Sequence, residues 1–411
     1  MTSPPSVVAP RARRGGLAVL VALAAGVALG WLLRSPQLAR VPGWPATAER
    51  LAEETAAIAP SPAAPPPPFE LVADRPVRGV VFMVGDGMGL AQIAAARAAL
   101  LGPDGRFALE RLPVTGLVAT HPAKGLVTKS DAAATALASG HKTLNGRVGA
   151  GEDGRPLRSI LEIARDAGFA TALVSTTDIV DATPAAFGAH SADRAAREDI
   201  AAQLVAARID VLLGAGAPYF LPAPAGRRKD GRDLTAEARA AGWTVARDTN
   251  ELAAASGERL LGLFDFDPAG VAEDHPSVAE MTAKTLATIG KRPRFFAMIE
   301  QEGIDTRSHR NTFDSMAKAL AAFDQAVAAA VEWARADGAV LVVVTADHET
   351  GGLSLFDDGP GRMRLAWTSV HHSGAPVGLF AYGPQAPRFT GLHDNTEIPR
   401  LIAEALAIPA P

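Results

Sequence analysis

Gly79-Val80-Val81-Phe82-Met83-Val84-Gly85-Asp86-Gly87-Met88-Gly89 is the stretch on which the fold turns. Its first half is a continuous apolar run into which no polar residue alternates. A strand with one face in water alternates; a strand buried on both faces does not, and such strands belong to parallel sheets covered by helices. The second half bends. Its glycines let the backbone turn tightly and approach a ligand, while Asp86 projects from the end of the strand. A Gly-Asp-Gly turn is usually only a turn, so its meaning depends on what the rest of the chain brings beside it.

Working outward, similar Val-, Ile- and Phe-rich runs predict strands at 171–175, 211–213, 295–299, 339–345 and 377–382, besides 79–84. Between them, Ala-rich stretches with helical spacing predict helices at 159–167, 195–207, 277–289, 314–336 and 397–407. This alternation predicts one doubly wound α/β domain over 77–411, its mostly parallel sheet sandwiched by helices. In such folds ligand groups collect past the carboxyl ends of the strands. Asp86, Glu300 and Asp347 each follow a predicted strand. Three carboxylates on one sheet edge repel one another unless a cation binds there.

Upstream the chain changes character. Arg11, Arg13 and Arg14 precede an unbroken apolar run at 17–33, which Arg34 closes. The region 1–34 therefore reads as a signal peptide or signal anchor. The run ends in Trp31-Leu32-Leu33-Arg34 rather than in small residues, which favours an uncleaved anchor. The basic flank would stay in the cytoplasm and place the rest of the chain outside, tethered to the inner membrane. Arg13-Arg14 also allows a twin-arginine export signal. Residues 35–76, with Pro36, Pro42, Pro45, Pro60, Pro62 and the run Pro65 to Pro68, read as an extended Pro/Ala-rich spacer.

The 411 residues carry a formal charge of −4, which offers no general attraction for nucleic acid or anionic lipid. There is no cysteine, so disulfides, thiolate catalysis and Cys-based zinc sites are all excluded. Any metal must be held by histidine and oxygen ligands. Asp305 and His309 stand four residues apart and would share one face of a helical turn. Asp347-His348 directly follows an apolar strand, an arrangement that packs poorly unless something coordinates it. His371-His372-Ser373-Gly374 supplies a further imidazole. Nitrogen and oxygen ligands without sulfur suit catalytic zinc, with magnesium at an all-oxygen neighbour.

At this point the chain resembles the alkaline phosphatase family across nearly all of 77–408. The matching motifs are Val127-Thr128-Lys129-Ser130-Asp131-Ala132-Ala133-Ala134-Thr135-Ala136, then Ser139-Gly140 and Lys142-Thr143-Leu144-Asn145-Gly146. Asp181-Ala182-Thr183-Pro184-Ala185-Ala186 through His190, Asp347-His348 and His372-Ser373-Gly374 are further matches in family order. The resemblance implies hydrolysis of small phosphate monoesters through a phosphoserine at Ser130, with two zinc ions and one magnesium ion. It assigns Asp305, His309 and His372 to one zinc, and Asp86, Ser130, Asp347 and His348 to the other. Asp86, Thr183 and Glu300 would hold magnesium, with Asp181 orienting a magnesium-bound water. Arg194 matches the phosphate-binding arginine, Arg197 being a weaker substitute. Glu302 remains an alternative to Glu300, and His371 to His372. A homodimer stays open.

Two positions depart from the family pattern. Lys129 stands beside the nucleophile where aspartate is common, and Thr306 where lysine, histidine or tryptophan is common. Lys129 adds a cation at the phosphate site but cannot accept a hydrogen bond from Arg194, so the arginine is expected to lose that restraint. Competing readings are a phosphodiesterase of the same superfamily and a phosphate- or metal-binding protein without turnover.

Overall fold

The computed structural model describes residues 52–265 and 275–411. Its strands are β1 (Ala52–Ala57), β2 (Gly79–Gly85), β3 (Val114–Ala119), β4 (Ala170–Asp178), β5 (Val211–Ala215), β6 (Thr244–Ala246), β7 (Leu260–Leu263) and β8 (Phe295–Gln301). They continue with β9 (Val340–Thr345), β10 (Glu349–Thr350), β11 (Leu353–Asp357), β12 (Arg362–Trp367), β13 (His372–Ser373), β14 (Val377–Tyr382) and β15 (Gly391–Asp394). Ten of them form one sheet in the order β15-β3-β14-β9-β2-β8-β4-β5-β7-β6. Every pairing in it is parallel except those of β14, which runs against both β3 and β9. The predicted doubly wound, mostly parallel sheet is what the chain forms.

The continuous apolar runs have the burial they imply: β2, β8 and β9 are buried at every residue. Two groups of helices cover them. Leu90–Leu101, Val278–Ile289 and Phe313–Asp337 pack together, as do Ser130–Ser139, Ile160–Asp166, Ala182–Gly188 and Ile398–Leu406. Members of both groups touch β2, β4 and β8, as a helix layer on each face requires. Local sequence sets the helix starts. Ser159 and Ser277 each accept a backbone N–H three residues on, while Glu162 and Glu280 reach back, making capping boxes at both predicted starts.

The register of the central strands positions the chemistry. Val84 pairs with Glu300 and with Thr345, and Ser175 pairs with Glu300. The residues just beyond these pairs therefore emerge together at the carboxyl edge. Asp86 N–H donates to the Gln301 carbonyl at 3.0 Å, carrying the ladder one step past β2.

One expectation needs correction. The stretch 35–76 was expected to be an extended spacer, yet within its described part β1 pairs antiparallel with β12, joining a sheet of β1, β12 and β11. Its residues alternate between half-buried and exposed, with Ala52, Glu54 and Ala56 turned inward. Prolines dominate the composition of the segment, but this short proline-free run is recruited by a partner some three hundred positions away. The described part of the compact unit accordingly begins with this strand, at Ala52. Beyond β1 the chain also lies against the domain, where Phe69 N–H donates to the Arg111 carbonyl at 2.8 Å and the Arg111 guanidinium sits 4.2 Å above the Phe69 ring. The apolar run at 17–33 lies outside the described residues. Among the described residues no helix is long and apolar enough to cross a membrane.

Phe296 on β8 is fully buried and stacks on Phe187, with ring centroids 6.4 Å apart. Phe296→Ala should cost about 3–5 kcal/mol through lost transfer energy and an unfilled cavity. Urea unfolding followed by circular dichroism checks this; a loss under about 1 kcal/mol would mean the core collapses around the gap.

Candidate active site

At the carboxyl edge two clusters form whose ligand atoms each lie within 4.8 Å of one another: Asp305, His309 and His372, and Asp86, Asp347 and His348. The first is built by the helix Gly303–His309, where the i,i+4 spacing places Asp305 Oδ2 3.1 Å from His309 Nε2. His372 enters from β13, whose Thr350–His372 pairing with β10 holds the loop. The second cluster comes from the ends of β2 and β9. Gly87 N–H donates to Asp347 Oδ1 at 3.1 Å, and His348 Nε2 lies 3.1 Å from Asp347 Oδ2 and 3.5 Å from Asp86 Oδ1. Gly87 is required here: its φ is +71°, and a Cβ would meet Asp305 Cα at 2.8 Å. The clusters adjoin, since the His348 and His372 rings stack with centroids 3.5 Å apart.

The histidine geometry reveals what the first cluster is built to hold. His309 Nδ1 lies 2.6 Å from the Val370 carbonyl, and His372 Nδ1 lies 2.8 Å from the Thr128 carbonyl. Both Nδ1 atoms must donate, which leaves the Nε2 lone pairs directed inward. Those two Nε2 atoms face each other at 3.0 Å. Two lone pairs at that distance repel unless a proton or a cation lies between them. Without metal, the hydrogen bond to Asp305 pushes the His309 pKa up to about 9, so a proton serves. In the second cluster Asp86 Oδ1 and Asp347 Oδ2 are buried without a hydrogen-bond partner. Burial, then the charges of Asp347, Asp305 and Glu300, raises the Asp86 pKa, and burial followed by Asp305 pushes Asp347 up to about 7. Burial also carries Glu300 to about 8 and Glu302 to about 7. Orphaned buried oxygens, crowded carboxylates and inward imidazoles fit divalent cations.

Ser130 begins the helix Ser130–Ser139, with its Oγ 3.3 Å from His348 Nε2. Lys129 provides no side-chain cap, so N–H groups of the first turn remain available at the positive end of the helix dipole. Arg194 is brought to the same helix. Its Nη1 donates to Asp131 Oδ2 at 2.9 Å and its Nη2 to Asp181 Oδ1 at 2.7 Å. The expectation of an unrestrained Arg194 is thereby overturned: the residue after the nucleophile, fully buried Asp131, supplies the acceptor that Lys129 cannot. Asp131 also accepts from Ala132 N–H at 2.8 Å and Gly146 N–H at 2.7 Å, so it is itself fixed. Lys129 is exposed, its backbone N–H donating to Asn145 Oδ1 at 2.9 Å. Arg197 is occupied by Asp178 at 2.5 Å and Asp181 at 3.1 Å.

Glu300 and Thr183 meet beside these groups. Ser175 Oγ donates to Glu300 Oε2 at 2.5 Å, and the Thr183 hydroxyl faces the same carboxylate. Asp181 caps the helix Ala182–Gly188 through Ala182 N–H at 2.7 Å, which fixes it between both arginines. Glu302 lies nearby and accepts from the Thr306 hydroxyl. His372 joins the first cluster, whereas exposed His371 contributes its carbonyl to Gly351 N–H at 2.9 Å. Sequence reasoning gave no role to Asp131, to Ser175, or to Thr350, whose hydroxyl donates to Asp305 Oδ1 and lies 3.2 Å from His348 Nδ1. Only Asp131 left a signal there, as an acid in the first turn of the helix within the nucleophile motif.

The family model described as alkaline phosphatase matches residues 77–359 and 359–408. The chain belongs to the alkaline phosphatase family. It is 36% identical over 409 residues to the streptomycin-6-phosphate phosphatase of Streptomyces griseus, covering 81% of this chain and 91% of that one. It is 30% identical over 413 residues to the alkaline phosphatase of Escherichia coli K12, covering 82% and 88%. Among solved structures, the alkaline phosphatase of the Antarctic bacterium TAB5 superposes with a TM-score of 0.72 at 28% identity, covering 83% of this chain and all of the other. That of Thermus thermophilus gives 0.74 at 27% identity, over 82% and 94%. This alkaline phosphatase is thus an enzyme that hydrolyses phosphate monoesters, and its family uses divalent metal ions.

The pKa shifts set the pH response of the metal-free protein. Asp347, Glu300 and His309 have folded values raised to about 7, about 8 and about 9. Groups raised by folding contribute stability that is complete below their unfolded pKa and is lost as pH climbs through the folded one. His348 is lowered by burial and acts oppositely, but only below its ordinary value of 6.5. From about pH 6.5 to 9 metal-free protein should therefore become less stable as pH rises, by at least about 1 kcal/mol. Zinc should flatten or reverse that slope, because its ligands bind deprotonated. Thermal melts across this range with and without zinc measure it; a flat metal-free profile would contradict the site electrostatics.

Proposed function

We propose that this phosphatase works through a phosphoserine at Ser130, with two zinc ions and one magnesium ion. Asp305, His309 and His372 would hold one zinc, Asp86, Ser130, Asp347 and His348 the other, and Asp86, Thr183 and Glu300 the magnesium. The observation that carries this reading is the pair of inward Nε2 atoms 3.0 Å apart, beside a serine hydroxyl 3.3 Å from His348. When bound, the metals would lower the pKa of the serine hydroxyl and neutralise charge on the phosphoryl group and the departing oxygen.

The chain's own residues supply the rest. Arg194, preset by Asp131 and Asp181, presents a planar fork to two phosphoryl oxygens without searching for its rotamer. The amide end of the helix Ser130–Ser139 favours the same negative charge. Ser130 Oγ attacks phosphorus as the bond to the alcohol oxygen breaks, and the alcohol departs with a proton. Water then attacks the phosphoserine from the opposite side, releasing inorganic phosphate and restoring the hydroxyl. Lys129, exposed beside the nucleophile, adds positive charge for incoming phosphate. The apolar run at 17–33 supports export and a membrane tether for the mature enzyme. Pairing of two copies is consistent with the same family reading.

Ser130→Ala should reduce turnover of p-nitrophenyl phosphate by at least about a thousandfold while leaving metal content unchanged. Acid quenching should trap phosphate on Ser130 of the wild-type enzyme, located by peptide mass spectrometry. A label on another residue, or an undiminished mutant, defeats the mechanism. Dialysis against a chelator should remove activity, and zinc with magnesium should restore it. Elemental analysis counts the ions regained; full activity in verified metal-free protein would end the metal assignment.

A further inference from the structure

β1 does more than extend a peripheral sheet. Glu54, on its inward face, sends Oε1 to two donors: Trp367 Nε1 at 2.8 Å and the backbone N–H of Phe313 at 3.0 Å. These donors belong to the two arms that bear the first cluster. Phe313 opens the helix Phe313–Asp337, whose own N-cap residue, Thr312, makes no side-chain capping bond. Glu54 therefore caps that helix from another part of the chain, at the end where a negative charge is favoured. Immediately upstream lies the helix Gly303–His309, and the link is short and bonded: Asn311 N–H donates to the Ser308 carbonyl at 2.9 Å, and Thr312 N–H to the Arg307 carbonyl at 3.1 Å. These bonds tie the start of the helix at Phe313 to the end of the helix that carries Asp305 and His309.

The other arm runs through Trp367. This ring is 1% exposed and lies against Gly351, where a Cβ would come within 2.5 Å of the indole and 3.4 Å of the Ser308 carbonyl. Gly351, with φ +92°, is a node. Its carbonyl accepts the N–H groups of Thr368 at 3.0 Å and Ser369 at 3.1 Å, and its N–H donates to the His371 carbonyl at 2.9 Å. It thereby folds the segment 368–371 back toward the cluster, placing the Val370 carbonyl on His309 Nδ1 and His372 beside it. Glu54, Trp367, Gly351 and Ser308 form one packed path that ends at both histidines.

We infer that Glu54 is a positioning residue for the Asp305/His309/His372 metal cluster: one carboxylate, delivered by the strand ahead of the catalytic domain, locks both arms of that cluster in register. The inference rests on the metal reading proposed above. Outer partners of metal ligands commonly contribute about 10–100-fold to affinity, by removing freedom the ligands would otherwise lose on binding.

Zinc-loaded full-length protein is mixed with a colorimetric zinc chelator at 25 °C, and release is timed. Glu54→Ala should release one equivalent of zinc about tenfold faster than wild type, and the other at the wild-type rate. Glu54→Gln keeps an oxygen that can accept from both N–H groups, so it should behave as wild type. Trp367→Phe keeps the ring against Gly351 but removes one donor, should also speed release, and carries the test if Glu54→Ala does not fold. A lowered melting temperature with unchanged zinc release in both altered proteins would assign Glu54 a purely structural role and overturn the proposal. Acceleration in Glu54→Gln equal to that in Glu54→Ala would overturn it too. Wild-type protein that binds no zinc would instead sink the metal reading, and this proposal with it.

Discussion

Too many like charges emptying onto one sheet edge is the constraint that organises this molecule. Parallel register between β2, β8 and β9 delivers Asp86, Glu300 and Asp347 to the same edge, and Glu302 and Asp305 follow within a few residues. Burial raises the cost of each charge, which is why Asp347, Glu300 and Glu302 are pushed up to between about 7 and about 8. No amount of core packing relieves that repulsion. Cations do, and the inward imidazoles of His309, His348 and His372 are arranged for them.

The same constraint explains the restraint on arginine. Arg194 is only a third exposed, so its charge too is partly stripped of water. Asp131 and Asp181 offset this and hold the fork still, while Asp181 shares its second oxygen with Arg197. A site that must receive a phosphate dianion is thereby given a cation whose position is fixed, Asp131 holding Nη1 and Asp181 holding Nη2. Lys129, which replaces an expected acceptor, is tolerated because the acceptor stands two positions on, at Asp131 in the first turn of the helix.

The position of β1 adds a mechanical aspect. From within its Pro-rich stretch the chain contributes one carboxylate to two arms of the catalytic domain before it enters the central sheet at β2. The first described strand thus meets the arm that carries His372 through Trp367 and Gly351. Composition hides this. Six residues without proline inside a proline-rich segment carry a weak local signal, and the partner that makes them a strand lies at the other end of the sequence.

What the sequence by itself determined is whatever depends on local pattern and on order along the chain. Unbroken apolar runs such as 79–84 dictate strands buried on both faces, Ser159 and Ser277 with their partner glutamates set helix starts, and the motifs around Ser130, Asp181, Asp347 and His372 carry the family. Tertiary structure alone decided which side chains meet. His372 rather than His371 joins the cluster because the β10–β13 pairing aims it there. Asp131 rather than residue 129 holds Arg194 because the two face each other only once the helix Ser130–Ser139 has packed. Glu54 reaches Trp367 because β1 finds β12. Hydrophobic periodicity has a range of a few residues; hydrogen bonds between positions hundreds of residues apart exist only after the core has brought them within three ångströms, and no local rule encodes that meeting.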